Sequence, residues 1–91
     1  DVDGQVEING AFCQLEWKGD GGMLQEGQRR SCVAFTKNSR NVVFVVHGDA
    51  ETMNVKSYLF FWNGRQLANR LAGLNELKER IRNWAERVRR K

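Results

Sequence analysis

Residues 19–36 read GDGGMLQEGQRRSCVAFT, and the fold follows from how that segment divides. Residues 19–30 hold four glycines, mixed charge and no sustained period, which predicts a long flexible loop. Residues 31–36, SCVAFT, are rich in β-branched and aromatic side chains, as is NVVFVVH at residues 41–47. The intervening KNSR suits a short turn, so the two runs are expected to pair as a hairpin. Val42, Phe44 and Val46 alternate with Val43 and Val45, leaving both faces of the second run apolar, as in a central strand covered on both sides.

Upstream, VEINGAFCQLEW at residues 6–17 forms another hairpin, because Asn9-Gly10 supplies the two positive-φ positions of a tight turn. Cys13, Leu15 and Trp17 then share one face of the strand and Gln14, Glu16 and Lys18 the other. Downstream, VKSYLFFW at residues 55–62 alternates Val55, Ser57, Leu59 and Phe61 against Lys56, Tyr58, Phe60 and Trp62. Asn63-Gly64 either closes one more hairpin or turns the chain into a helix. RQLANRL lacks strand alternation, which favours the helix. Leu67, Leu71, Leu74, Leu77, Ile81, Trp84 and Val88 keep helical spacing to the chain end. Gly73 costs about 1 kcal/mol there relative to Ala, and Asn75 offers a fresh cap. The expected fold class is α+β: an antiparallel meander of about five strands over residues 5–62, then one long amphipathic helix over 66–90, continuous, kinked or divided near Gly73. Residues 1–91 are expected to be a single domain. Its core is expected to hold Val6, Ile8, Leu15, Trp17, Val33, Phe35, Val42, Phe44, Val46, Leu59, Phe61, Leu71, Leu74, Leu77, Ile81 and Trp84.

The chain has 91 residues and a net charge of +4. The charge is unevenly spread. Residues 1–26 carry six acids and one base, whereas residues 76–91 carry seven bases and three acids. Such polarity points to a phosphate-rich or acidic partner at the C-terminal end. No apolar run approaches the ~20 residues of a membrane helix. Two cysteines, Cys13 and Cys32, are too few for a disulfide framework and are expected to be free thiols in an intracellular protein.

Motifs for chemistry are sparse. The glycines at 19, 21 and 22 are followed by Leu24, not a third glycine, and Gly22 to Gly27 runs into Gln28-Arg29 instead of Lys-Ser. DVDG at residues 1–4 lacks the later ligands of a calcium loop and reads as a polar end. His47 has no close-set Cys or His partner for a metal. No catalytic residue, metal site or cofactor is expected, and the chain is read as a non-enzyme.

The expected function is a small nucleic-acid-binding module of low sequence specificity. Phosphate contacts are assigned to Arg80, Arg82, Arg87, Arg89, Arg90 and Lys91, helped by Arg29, Arg30 and Arg65. Tyr58, Phe60 and Trp62, led by Lys56, form a row on which unpaired bases could stack. One helix covers only one face of a sheet, so a homodimer or a protein partner is expected on the other. SYLFFWNGR at residues 57–65, followed by a helix, resembles the strand, Trp-x-Gly and helix of gelsolin-like and cofilin-like actin modules. That resemblance implies the alternative, a protein-interaction or dimerisation domain with an actin-module-like or pleckstrin-like core. The strands-then-helix order is also similar to the layout of PUR and Whirly single-strand binders.

Overall fold

The computed structural model describes residues 3–19 and 22–90. The chain runs β1 (Gly4–Ile8), β2 (Ala11–Lys18), α1 (Glu26–Phe35), β3 (Val42–Asp49), β4 (Asn54–Trp62), β5 (Arg65–Arg70) and α2 (Leu74–Arg89). It is an α+β arrangement with one five-stranded sheet in the order β1-β2-β3-β4-β5. Neighbours pair antiparallel except β2 and β3, which are parallel.

That parallel pair overturns the expected meander. SCVAF is the C-terminal half of a helix, with Thr36 as its C-cap, and not a strand. Parallel strands cannot be joined by a tight turn, so the chain must cross over between β2 and β3, and α1 makes that crossover. The helical register was present in the sequence. Leu24, Gln28, Cys32 and Phe35 recur at spacings of four, four and three, which puts them on one side of a helix. Gln28 also reaches back to accept the Gln25 N–H at 3.1 Å, so one of the free amides at the start of α1 is satisfied by a side chain.

Asn9-Gly10 makes the β1–β2 hairpin as expected, with φ of 53° and 79°. Asn63-Gly64 does the same between β4 and β5, at 59° and 75°, so RQLANR is a strand and the helix starts only at Leu74. α2 therefore runs as one element over Leu74–Arg89, not from residue 66, and Gly73 precedes it as its N-cap.

The two helices cover opposite faces of the sheet. Val42, Phe44, Val46, Val55 and Tyr58 pack with Leu77, Trp84 and Val88 of α2. Val43, Val45 and Phe61 pack with Cys32, Val33 and Phe35 of α1. The two-sided apolar character of β3 is thus satisfied within one chain, and the reason for expecting a second copy on the open face disappears. Two expected core residues lie at the surface: Val6 is 44% exposed on the edge strand β1, and Leu71 is 91% exposed in the β5–α2 connection.

Leu77 is 2% exposed, whereas Ile81 packs only partly buried against the same cluster. Leu77→Ala should therefore cost about 2–5 kcal/mol, and Ile81→Ala less, as read by urea unfolding of the two variants. Equal losses would mean that α2 sits on the sheet through a different stripe.

Cys13 and Cys32 are both free, and the sheet separates them, since Cys13 belongs to the α2 side and Cys32 to the α1 side. Burial pushes the Cys13 thiol up to about 12. A thiol-labelling reagent at pH 8 should modify Cys32 ahead of Cys13 in the native protein and both together in denaturant, as read by peptide mass spectrometry.

Candidate functional site

The expected aromatic row splits on folding. In the β3–β4 register Val46 faces Tyr58, Phe44 faces Phe60 and Val42 faces Trp62, all on the side that α2 covers. Tyr58 is fully buried, Phe60 half-buried and Trp62 37% exposed, so the row grades from core to rim and is not an open platform. Tyr58 Oη donates to Glu76 Oε2 at 2.5 Å and accepts from Arg80 Nε at 2.7 Å. Arg70 Nε donates to the same Glu76 oxygen at 3.0 Å. Arg70 and then Tyr58, by hydrogen bonding, hold the Glu76 carboxyl below its usual range, while burial is the first cause that raises Tyr58.

The expected phosphate contacts also divide. Arg80 is held by Tyr58 and stacked over Phe60, with its Cζ 4.9 Å from the ring centroid. Arg87 lies over Trp62 at 5.5 Å. Arg82 pairs with Glu79 at 2.5 Å, and Arg89 and Arg90 are exposed at the end of α2. Lys91 lies outside the described residues. Arg29 and Arg30 are on α1, on the opposite face, and both pair with Glu26, at 2.6 and 3.4 Å. Arg65 and Lys56 are exposed on β5 and β4. These residues do not form one continuous surface, because the sheet stands between α1 and α2.

Folding assembles a second group that spacing in the sequence does not display. Glu16 and Lys18 occupy the C-terminal half of β2 on the α1 side, with Glu16 Oε2 3.7 Å from Lys18 Nζ. Their side chains are only 20% and 19% exposed, whereas the other ion pairs in the described residues are 39–77% exposed. A lysine shielded to that degree needs fixed partners, since taking an ammonium out of water is costly. The second partner comes from α1, where Gln28 Oε1 accepts from Lys18 Nζ at 3.2 Å. The β1–β2 register, with Gly4 opposite Leu15, then carries Asp3 to the same end of β2. There the Asp3 N–H donates to Leu15 O at 3.1 Å and Asp3 Oδ2 accepts the Trp17 N–H at 2.6 Å.

The neighbourhood continues on β3, where His47 stands opposite Lys18 in the parallel register. Its Nε2 lies 3.1 Å from Gly22 O, and its Nδ1 is buried with no hydrogen-bond partner among the described residues. A cleft of about 170 Å³ opens alongside, lined by Gln14, Glu16, Leu24, Gln28, Ser31 and Cys32 among others. Burial and then the Glu16 charge raise the Cys32 thiol, and both side chains line this cleft. The group thus lies on the α1 side of the sheet, along the C-terminal half of β2 and under the crossover helix.

Among the described residues no cluster of three or more His, Cys, Asp and Glu side chains gathers as a metal cage. Two carboxylates are nevertheless a sufficient protein contribution for Mg²⁺, which keeps several waters and takes its remaining oxygens from substrate phosphates. Asp3 and Glu16 offer hard oxygens of that kind.

The sequence reading missed this group because its members lie just before β1, on β2 and on α1, and meet only through register and crossover. The available signal was Glu16-Trp17-Lys18, an acid and a base two residues apart on one strand face, with Asp3 just before the preceding strand of the hairpin. Comparison with protein-family models, with curated proteins and with solved structures finds no match.

Proposed function

We propose that this chain binds nucleic acid and hydrolyses its phosphodiester backbone, with the Asp3, Glu16, Lys18 and Gln28 group as the reacting centre. The observation that carries the reading is the shielded Glu16–Lys18 pair at the carboxyl end of β2, joined there by a carboxylate from the β1 end and an amide from α1. Hydrolysis adds one water across a P–O bond. The water oxygen bonds to phosphorus, the sugar oxygen leaves, and the water proton ends on the departing oxygen. A divalent cation held between the carboxylates and the phosphate would lower the pKa of the attacking water and offset the developing charge. Glu16 and Asp3 supply the negative charge that holds such a cation. Lys18 presents its ammonium to the phosphate or the incoming oxygen, and Gln28 fixes where that ammonium sits. This assigns chemistry to a chain whose sequence reads as a non-enzyme.

The rest of the molecule suits a polyanionic substrate. Seven bases against three acids in residues 76–91 concentrate the positive field on α2, and cations that meet only phosphates give little sequence preference. If four phosphates are neutralised, log affinity should fall against log salt with a slope of roughly −3 for single strands and nearer −4 for duplex. Titrations at several salt concentrations in chelator, which stops turnover, check this. A slope near zero would count against nucleic acid as the ligand.

One observation favours a second reading, binding without cleavage. Asp3 Oδ2 already caps the Trp17 amide, so Asp3 has a structural role as the end of the hairpin. The test is to incubate the full chain with labelled single-stranded DNA, duplex DNA and RNA, with Mg²⁺ or Mn²⁺ and with chelator. Cleavage that requires the cation supports the first reading. Retention of all three substrates uncut, with binding intact, selects the second.

A further inference from the structure

On the opposite face and toward the N-terminal end of β3, a larger cleft of about 540 Å³ opens along one flank of α2, beside its packed stripe. Its floor is Val42, Phe44 and Phe60, and its wall on the helix side is Arg80, Asn83, Trp84 and Arg87, with the carboxylates of Glu76 and Glu79, bonded to Arg70 and Arg82, at the end away from Arg87. Close packing ordinarily leaves few voids larger than a water between a helix and the sheet it covers. Here two arginines about two turns apart on α2 arch over two rings of the same strand face, Arg80 on Phe60 and Arg87 on Trp62. The Trp62 ring is held in place because its Nε1–H donates to Ser39 O at 3.1 Å. Arg80 is already committed to Tyr58, but Arg87 makes only the ring contact among the described residues and sits at the exposed rim.

We propose that this cleft receives one unpaired nucleobase of a single-stranded segment, with the adjoining phosphate on Arg87. The inference rests on nucleic acid being the ligand of the chain, but not on cleavage. The volume falls within the ~300–1,000 Å³ of sites that enclose small planar ligands. A base laid on Trp62 takes the place of the Arg87 guanidinium, which covers the ring at 5.5 Å, and the displaced guanidinium is then free to meet the adjoining phosphate. Phosphate at the rim meets the basic end of α2, where Arg87, Arg89 and Arg90 face Glu86 as the only acid of the last turns. A paired base cannot enter, because its edge and both faces are occupied in the duplex. The reacting group lies across the sheet, with Glu16 and Lys18 level with Val45 and His47, three residues further along β3 than Val42 and Phe44 at about 3.3 Å per residue, so the cleft anchors the strand at a distance from the bond to be cut.

The experiment uses the full chain in chelator, with a poly-thymidine oligonucleotide and a blunt duplex of equal charge, read by tryptophan fluorescence and by anisotropy of labelled strands. The single strand should quench the fluorescence and the duplex should not. Trp62→Ala should weaken single-strand affinity by about 5- to 150-fold, the loss of one stacked base, while leaving duplex affinity unchanged. Trp62→Phe should restore most of it, and Arg87→Ala should weaken it and flatten its salt dependence. Circular dichroism confirms that each variant is folded, which is expected because Trp62 and Arg87 are both at the surface. Single-strand binding by Trp62→Ala equal to wild type, or equal quenching by the duplex, overturns the proposal. Loss of cation-dependent cleavage with this discrimination intact would instead overturn only the assignment of the Asp3 and Glu16 group.

Discussion

Glu16→Gln should reduce cation-dependent cleavage by at least about 10²-fold while leaving single-strand affinity in chelator near that of the wild type. The amide matches the carboxylate in size but removes the charge that would hold a divalent cation, and removing even an outer partner of a metal ligand commonly costs 10–100-fold. Lys18→Met keeps most of the aliphatic stem and deletes the ammonium. A single donor aimed at charge developing in the transition state is worth roughly 10²–10³ in rate. The two losses should differ in their cation dependence. Raising the Mn²⁺ concentration should recover part of the Glu16→Gln activity, because cation occupancy is what that substitution lowers, and none of the Lys18→Met activity. Both side chains are about four-fifths shielded, so each single variant leaves a partner uncompensated and some stability is lost with it. Comparing turnover per folded molecule, with the folded fraction from circular dichroism, separates the two effects. Activity that falls only in step with the folded fraction would make Glu16–Lys18 an ordinary ion pair.

Trp84→Ala should be among the most destabilising single substitutions in the chain, at about 3–5 kcal/mol. Trp84 is 3% exposed and is the side chain of α2 that both fills the core against the sheet and hydrogen-bonds outside it. Its Nε1–H donates to Arg40 O at 2.8 Å, which ties the helix to the turn before β3. Truncation leaves a large void and an unpaired carbonyl, and the two costs add because one is a lost contact and the other an unmet hydrogen bond. A domain of this size loses roughly 4–8 °C in Tm for each kcal/mol, so the melting temperature should drop by about 12–40 °C. Trp84→Phe refills most of the volume and should recover most of that loss. A Trp84→Ala variant melting within a few degrees of the wild type would show that α2 contributes little to the fold.

The sequence alone determined those parts of the protein whose physics is local. Asn9-Gly10 is a hairpin because two adjacent positive-φ positions select those residue types. Val42 to Val46 is a central strand because alternating apolar residues on both sides cannot stand in water, and the chain did place all five in the core. Leu77, Trp84 and Val88 mark the buried stripe of α2 through their spacing alone.

Tertiary structure decided what local pattern leaves balanced. Residues 31–36 suit a strand by composition and a helix by their spacing with Leu24 and Gln28. The helix wins because the second face of β3 needs a cover that only α1 can give. Residues 65–70 show no strand alternation, yet they pair with β4 because the Asn63-Gly64 turn returns them along its edge. The candidate reacting group follows from both choices. Asp3 reaches the Trp17 amide, between Glu16 and Lys18, through hairpin register, and Gln28 reaches Lys18 only because residues 26–35 are a helix lying across the β2–β3 crossover. A strand at residues 31–36 would carry no such contact, because the Gln28 amide would then lie on a loop with nothing to aim it at the lysine.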